Sequence, residues 1–267
     1  MKLIKKGPEP ESLREYKTHS PNQTWEGLRG DGLHDGRAVV EDCYGQVLAD
    51  QGYLCAYCEC TIDRKPDRES SCRIEHFIPK SCASLSTNWN LDWQNILATC
   101  QGGEHLKSKH HLPANLSCDA HKNHVMNKSN SMMGCEGWIL NPLRLPLHVN
   151  LFSLDKRQGY LEPNDEACSS VKEIAENKHK TTKDLVLKTI QVLNLNCDRL
   201  AELRRKIIVN IDKNIKTMRV SHVRREDAPK ILIDRYFAKK WPEFFTTIRC
   251  YIPDIVEPYL KSINYSG

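Results

Sequence analysis

The sequence lacks any long apolar run and has few aromatic residues. No stretch approaches the roughly 18 consecutive apolar residues that cross a bilayer, and aromatic residues make up only 7% of the 267. No apolar segment follows the basic start of the chain, so a secretory signal is not expected. Hydrophobic residues at 39% and charged residues at 27% are nevertheless typical of a folded globular chain. We therefore expect a cytoplasmic protein without a membrane segment.

Cysteine is also too scarce for a small fold held together by disulfides. The chain has 12 cysteines among 267 residues. This fraction is well below the roughly 8–10% cysteine of disulfide scaffolds. Thiols stay reduced in a protein that is not exported. Cysteines that cluster in such a sequence are therefore better interpreted as metal ligands.

Positive charge is unevenly distributed. Residues 172–240 contain 18 lysines and arginines against 9 acidic residues, a net charge of +9, while the whole chain carries +5. A basic segment of this kind suits a polyanion or an acidic protein partner. An ordinary solvated helix surface would give the same pattern.

The pattern of apolar residues predicts a mainly helical chain with one clear hairpin. Apolar positions from Asp35 to Tyr53 recur at helical spacing. Alternating residues on both sides of the turn Asp155–Gly159 predict a β-hairpin. Helical patterns dominate after residue 170: one from Thr182, one from Asp198, one from Ile231 to Lys240, and a short one bracketed by Pro253 and Pro258. We expect the nearby aromatic residues Trp241, Phe244 and Phe245 to be exposed.

Residues 54–128 are rich in cysteine, histidine and asparagine, with little regular periodicity. A Cys-x-x-Cys pair is formed by Cys55 and Cys58, and a Glu-His pair with a proline three residues on by Glu75, His76 and Pro79. Further along come Asn95 before apolar residues, Cys100, and the segment Cys118-Asp119-Ala120-His121-Lys122. Each motif alone is weak, but their order along the chain is much more specific.

In this order the motifs resemble those of the HNH endonuclease family. The Glu75-His76 pair, Pro79 and Asn95 match the family pattern, and Asp119 stands where asparagine or histidine is more usual. Other segments resemble the PtuB-like subgroup, which belongs to Septu and retron-associated anti-phage systems. These segments are residues 1–10, Asp92-Trp93-Gln94-Asn95, the hairpin around Gly159, and residues 189–196. The resemblance therefore covers most of the chain.

The resemblance implies a catalytic role for five residues. His76 would act as the general base, which suits an imidazole that titrates near neutral pH. Glu75 and Asp119 would hold one Mg²⁺ or Mn²⁺, because hard cations prefer carboxylate oxygens. Asn95 would fix the loop that orients His76, and Lys122 would contact a substrate phosphate. Neighbours on a strand point to opposite faces, so both members of the Glu-His pair reach one site only where the strand end is distorted.

A separate structural zinc site is implied for Cys55, Cys58, Cys100 and Cys118. The sequence departs from the usual pattern here, because 17 residues separate Cys100 from Cys118. Other ligands therefore stay open: Cys60, or one of the insert's histidines His105, His110 and His111, could replace a cysteine. His121 could likewise replace Asp119 at the catalytic metal.

The implied fold is α+β, with a ββα-metal nuclease core and mainly helical additions at both ends. Residues 1–50 would form an N-terminal helical region and residues 51–128 the HNH nuclease module with its zinc. Residues 129–169 would be a connector with the hairpin, and residues 170–267 a helical partner-binding domain.

The implied function is metal-dependent cleavage of nucleic acid in phage defence. A PtuA-type ATPase would control the nuclease, and a retron reverse transcriptase–msDNA complex is a further candidate partner. The motif does not distinguish a DNA from an RNA substrate, because both share the phosphate. The alternative is a zinc-stabilised nucleic-acid or protein-binding adaptor in which Glu75 and His76 do not catalyse.

Overall fold

A computed structural model describes residues 1–64, 71–82, 87–106, 108–129, 136–171, 173–238 and 241–267. The described chain contains ten α-helices and two small antiparallel sheets. Three helices come first: α1 (Glu11–His19), α2 (Trp25–Gly30) and α3 (Gly36–Gln51). The helix expected from Asp35 is α3, and it ends where Gly52 adopts a φ of 64°, a conformation that glycine reaches without strain.

The first sheet joins β1 (Cys72–His76) to β2 (Ile96–Cys100). Cys72 pairs with Cys100 at one end of the ladder, and His76 pairs with Ile96 at the other. All five residues of β2 are buried. Helix α4 (Cys118–Ser129) follows and contacts β2. The sheet therefore carries the Glu-His pair at the end of β1, with α4 packed against its other strand.

The expected hairpin is confirmed. Strands β3 (Phe152–Asp155) and β4 (Tyr160–Pro163) pair in antiparallel register around a short turn. Asp155 accepts hydrogen bonds from the backbone N–H groups of Arg157 and Gln158 at 2.8 and 3.1 Å, as aspartate commonly does at the start of a turn. Helix α5 (Asp165–Ser170) comes next, and the side chain of Asn164 caps its N-terminus.

The remaining chain is helical, as expected. Thr181 caps α6 (Thr182–Val192), and α7 follows over Asp198–Val220. The last three helices are α8 (Ala228–Phe237), α9 (Phe245–Tyr251) and α10 (Pro253–Ser262). The expectation that Pro258 ends the last helix is wrong, since α10 continues past it to Ser262. Burial of Val256 and Leu260 on either side of this proline offsets the loss of one backbone hydrogen bond.

Two hydrophobic clusters hold the described residues together. The larger spans the N-terminal helices, both sheets, α6 and the start of α7. The smaller joins α7 to the last three helices and contains Trp241 and Phe245. The expectation of exposed aromatics is wrong: Trp241 is 6% exposed, Phe244 2% and Phe245 1%. The rings of Trp241 and Phe245 lie edge-on to one another. Burying each ring stabilises the C-terminal helices by about 2 kcal/mol.

The architecture is thus α+β, with a mixture of helices and two small antiparallel hairpins. None of the helices in the described ranges is both long enough and apolar enough to span a membrane.

Candidate active site and cysteine cluster

Glu75 and His76 are the last two residues of β1, and both are buried, at 5% and 8% exposure. Although they are neighbours on a strand, both line the same cavity, whose volume is about 540 Å³. Strand pairing ends at His76, where the chain turns into the loop that carries Pro79. The strand end therefore brings both side chains to one site.

The carboxylate of Glu75 is held by two buried side chains. The hydroxyl of Tyr57 donates to its Oε1 at 3.1 Å, and the ammonium of Lys122 forms an ion pair with the same oxygen. Lys122 is 2% exposed. Burial raises the pKa of Glu75 to about 8, despite the opposing charge of Lys122. The ion pair with Lys122 is thus the contact that favours the ionised form of this buried carboxylate.

His76 is fixed in one orientation. Its Nε2 lies 3.0 Å from the backbone oxygen of Asn90, and because a carbonyl only accepts, Nε2 carries the proton and Nδ1 keeps the lone pair. The ring of Trp25 packs edge-on against the imidazole, with the centroids 5.3 Å apart. Burial lowers the pKa of His76 to about 4. The imidazole is consequently neutral at pH 7 and can accept a proton.

Asn95 holds together the loop that follows His76. It ends a short 3₁₀ turn (Trp93–Asn95) just before β2. Its Oδ1 accepts from the N–H of Ile78 at 2.7 Å, and its Nδ2 donates to the carbonyls of Ile78 and Trp89 at 2.9 and 2.8 Å. One amide thus ties the loop segments at Ile78 and Trp89 to the 3₁₀ turn before β2.

Asp119 lies in the first turn of α4 and lines the same cavity as the Glu-His pair. It is 4% exposed. Its Oδ1 accepts a hydrogen bond from Asn123 at 2.8 Å, and its Oδ2 lies 3.8 Å from a guanidinium nitrogen of Arg73. Lys122, one turn further along, also lines the cavity, where its ammonium contacts Glu75. Four of the five candidate catalytic side chains therefore meet at one cavity, and Asn95 supports the loop beside it.

Five cysteine sulfurs form a second, separate cluster. Those of Cys55, Cys58, Cys60 and Cys100 are all within 4.8 Å of one another. The sulfur of Cys118 lies 3.8 Å from that of Cys55 and 3.7 Å from that of Cys100. This cluster could hold a metal ion such as zinc, and it offers one thiol more than a tetrahedral zinc site takes.

The histidines considered as alternative ligands lie apart from the sulfurs. In the described part of the chain, the group of side chains close enough to share a metal contains cysteines alone. His105 lines a different groove. The Nδ1 of His121 is 2.8 Å from the backbone oxygen of Val192, so this ring is engaged with the end of α6.

Two buried arginines of α7 lie near the sulfur cluster and were not singled out from the sequence. Arg199 is 8% exposed and Arg204 1%. Burial opposes the charge of Arg199, but neighbouring thiols, Cys197 and Cys58 among them, raise its pKa. The guanidinium groups of Arg199 and Arg204 thus place buried positive charge near these thiols. The sequence pattern places Arg199 and Arg204 in a helix, but it does not predict that they are buried.

Two further residues of the site were not predicted from the sequence: Tyr57, which contacts Glu75 through its side chain, and Asn90, which contacts His76 through its backbone oxygen. Tyr57 stands inside the Cys-x-x-Cys pair and reaches a strand 18 residues away. Asn90 presents a main-chain oxygen, so its side chain gives no signal of that role.

A buried acid-histidine pair, a second buried carboxylate and a buried ammonium around one cavity are the groups expected of a hydrolytic enzyme. No protein-family model matches the chain. It is, however, 40% identical over 215 residues to an Escherichia coli protein named "Retron Ec83 putative HNH endonuclease", covering 79% of this chain and 81% of that relative. The chain thus belongs to the HNH endonucleases of retron-associated systems, and it is a nuclease.

Proposed function

We propose that the protein cleaves nucleic acid with the help of a divalent cation held by Glu75 and Asp119. Both carboxylates are buried and line one cavity, and oxygen donors of this kind suit Mg²⁺ or Mn²⁺. Cations already lie close to each carboxylate, Lys122 at Glu75 and Arg73 at Asp119. When bound, the metal ion would supply positive charge to stabilise the scissile phosphate and its leaving oxygen.

In this proposal His76 is the general base. Its neutral imidazole, with the lone pair on Nδ1, takes the proton of the attacking water. The Asn90 carbonyl and the Trp25 ring hold the imidazole in this orientation. Asn95 maintains the loop behind it, and Lys122 contributes positive charge beside the reacting phosphate. In this proposal β1, β2 and α4 form the ββα-metal core of the family.

We further propose that Cys55, Cys58, Cys100 and Cys118 hold a structural zinc. A Zn–S distance of about 2.3 Å gives a tetrahedral edge of about 3.8 Å between sulfurs. Three sulfur pairs match this edge: Cys55 and Cys118 at 3.8 Å, Cys58 and Cys100 at 3.7 Å, and Cys100 and Cys118 at 3.7 Å. The sulfur of Cys60 stands 3.3 Å from that of Cys58 and lies within 4.8 Å of those of Cys55 and Cys100, so Cys60 is the competing ligand in this assignment.

The shared cavity is the observation that carries the catalytic proposal, and metal-dependent nicking tests it. Purified protein is incubated with plasmid DNA and with RNA, with and without Mn²⁺. Glu75→Gln and Asp119→Asn should each remove cleavage, whereas the surface variant Glu226→Gln should cleave as the wild type does. His76→Ala should lower the rate by roughly 10²–10⁴. Wild-type rates in both carboxylate variants would contradict the metal site.

The proposal extends to control by a PtuA-type ATPase bound to residues 170–267, in a complex that can include a retron reverse transcriptase with its msDNA. A groove of about 570 Å³ runs along the exposed face of α7. Val209 lies in it, 65% exposed, among Arg205, Lys206 and Lys213, and Glu202 and Asn210 complete the lining. An apolar side chain within a basic rim suits an acidic protein surface with an apolar centre.

Co-purification tests the docking face. Val209→Asp should abolish capture of the tagged ATPase from co-expressing cells, because it places a charge at the apolar centre of the groove. Val220→Asp is the matched control, since Val220 is 70% exposed at the end of α7. Equal capture by both variants would contradict a docking site on this face.

A further inference from the structure

The 17-residue insert between Cys100 and Cys118 forms a second groove beside the active site. This groove has a volume of about 670 Å³ and is lined by residues of β1 and of the insert. The insert contributes no ligand to the sulfur cluster among its described residues, so the metal does not explain its presence. The groove is its most evident structural product.

Both ends of the insert are fixed to the rest of the protein. At its start, Arg73 donates to the backbone oxygen of Gln101 at 3.1 Å. At its end, the amide of Asn194 donates to the carbonyls of Ala114 and Leu116, both at 2.8 Å. Side-chain hydrogen bonds to main-chain oxygens of the insert therefore anchor the wall of the groove at both ends.

Arg73 places the groove next to the active site. One guanidinium nitrogen lies 3.8 Å from Oδ2 of Asp119, which lines the catalytic cavity. Another forms an ion pair with Glu104, which lines the groove. Arg73 thus contacts one lining residue of each recess.

The lining of the groove combines apolar and polar groups. Leu112 and Leu116 supply apolar surface, and Gln101, His105 and Arg73 supply polar and cationic groups. An exposed lysine of the same insert adds further positive charge, at Lys109. A nucleotide likewise has an apolar part, the flat base, and an anionic part, the phosphate. A volume of this size is typical of small-molecule sites.

We propose that this groove binds a nucleotide of the substrate strand adjacent to the scissile phosphate. The base lies over Leu112 and Leu116, and its phosphate faces Arg73 and His105. The inference rests on the proposed function, since it concerns the substrate of the same site. Glu104 is then an internal competitor: its carboxylate occupies Arg73 in the free protein and repels the phosphate that replaces it.

The ion pair between Arg73 and Glu104 gives a test with opposite signs. Fluorescence anisotropy measures binding of labelled DNA and RNA strands of one sequence to the full chain, without added divalent cation and across a range of salt. Arg73→Gln should weaken binding. It should also make the slope of log K against log[salt] shallower by about 0.7 for each lost phosphate contact. Glu104→Gln should strengthen binding several-fold. A bridge that served only the fold would make both variants change in the same direction.

The surface pair Arg144 and Glu136 supplies the matched control. A guanidinium nitrogen of Arg144 lies 2.8 Å from a carboxylate oxygen of Glu136. Neither Arg144→Gln nor Glu136→Gln should alter binding. Equal weakening by Arg73→Gln and Glu104→Gln, or no change in either for both strands, would overturn the proposal. Mn²⁺-dependent nicking by the wild type is recorded in parallel: its absence would refute the metal-dependent reaction, while the binding data would still decide the groove.

Discussion

The hydroxyl of Tyr57 donates a hydrogen bond to Oε1 of Glu75 across 3.1 Å. Tyr57 lies between Cys55 and Cys58, so the segment that supplies two sulfurs to the cluster also touches the acid of the Glu-His pair. Both side chains are buried. The cysteine cluster and the candidate catalytic site are therefore mechanically connected through one tyrosine.

Replacing Tyr57 by phenylalanine should affect both stability and metal binding. A buried hydrogen bond to a carboxyl group is worth about 2 kcal/mol. Loss of a group that orients a metal ligand typically lowers metal affinity by roughly tenfold or more. Urea unfolding measures the first effect, and calorimetric titration with Mn²⁺ measures the second. Tyr236→Phe is the control, because its hydroxyl bonds Asn210 at 2.9 Å far along the chain; the positioning role fails if both variants bind Mn²⁺ alike.

The proposed zinc site uses four of the five clustered thiols. Replacing Cys118, a proposed ligand, should therefore affect zinc binding, whereas replacing Cys60, the thiol left over, should not. Cys118→Ser should yield protein that loses zinc, because Cys118 lies at tetrahedral distances from Cys55 and Cys100. Cys60→Ser should retain one zinc per chain. Structural zinc contributes directly to folding free energy, so Cys118→Ser should also be less stable or insoluble. Elemental analysis of both proteins decides, and zinc lost from Cys60→Ser but kept by Cys118→Ser would reverse the ligand assignment.

The buried imidazole of His76 predicts an acid-sensitive fold. Its pKa is about 4 in the folded protein against 6.5 as the ordinary value, so the unfolded chain binds the proton more readily between these limits. The resulting stability is complete above about pH 6.5 and is lost as the pH falls towards 4, amounting to about 3 kcal/mol. The free energy of unfolding, measured without divalent cation, should fall more steeply across this window in wild type than in His76→Gln. Parallel slopes would show that His76 titrates normally.

Local structure could be predicted from the sequence, but the contacts between distant segments could not. Helix α3 and the hairpin after Phe152 follow from periodicity and turn residues close together in sequence. The approach of Tyr57 to Glu75 depends on how the chain folds back, which no local pattern encodes. Trp241 and Phe245, which we expect from the sequence to be exposed, are buried against each other and against Tyr265. Burial depends on partners far along the chain, and so does the choice between Cys60 and Cys118.

Glu59, which stands between Cys58 and Cys60, ties the cysteine cluster to the C-terminal helices. Its carboxylate accepts hydrogen bonds from the N–H and Oγ1 of Thr246 at 2.8 and 2.6 Å. Its backbone oxygen accepts from the N–H of Phe244 at 2.9 Å. Both Glu59 and Thr246 are buried. Any partner that shifts α9 would therefore act directly on the segment that carries three of the five thiols.

Thr246→Val tests this connection because valine keeps the shape of threonine and removes its hydroxyl. The change removes a hydrogen bond to the buried Glu59 carboxylate, worth about 2 kcal/mol, and also the acceptor of the Met1 ammonium at 2.7 Å. The loosened segment should therefore release zinc faster to a colorimetric chelator. Thr247→Val is the matched control, since Thr247 is equally buried, whereas Thr246 donates to the Glu59 carboxylate beside the Met1 ammonium at 3.3 Å. Faster release from Thr246→Val alone would mean that the C-terminal helices help to retain the metal. Identical release from both variants would mean that the cluster holds its zinc independently of α9.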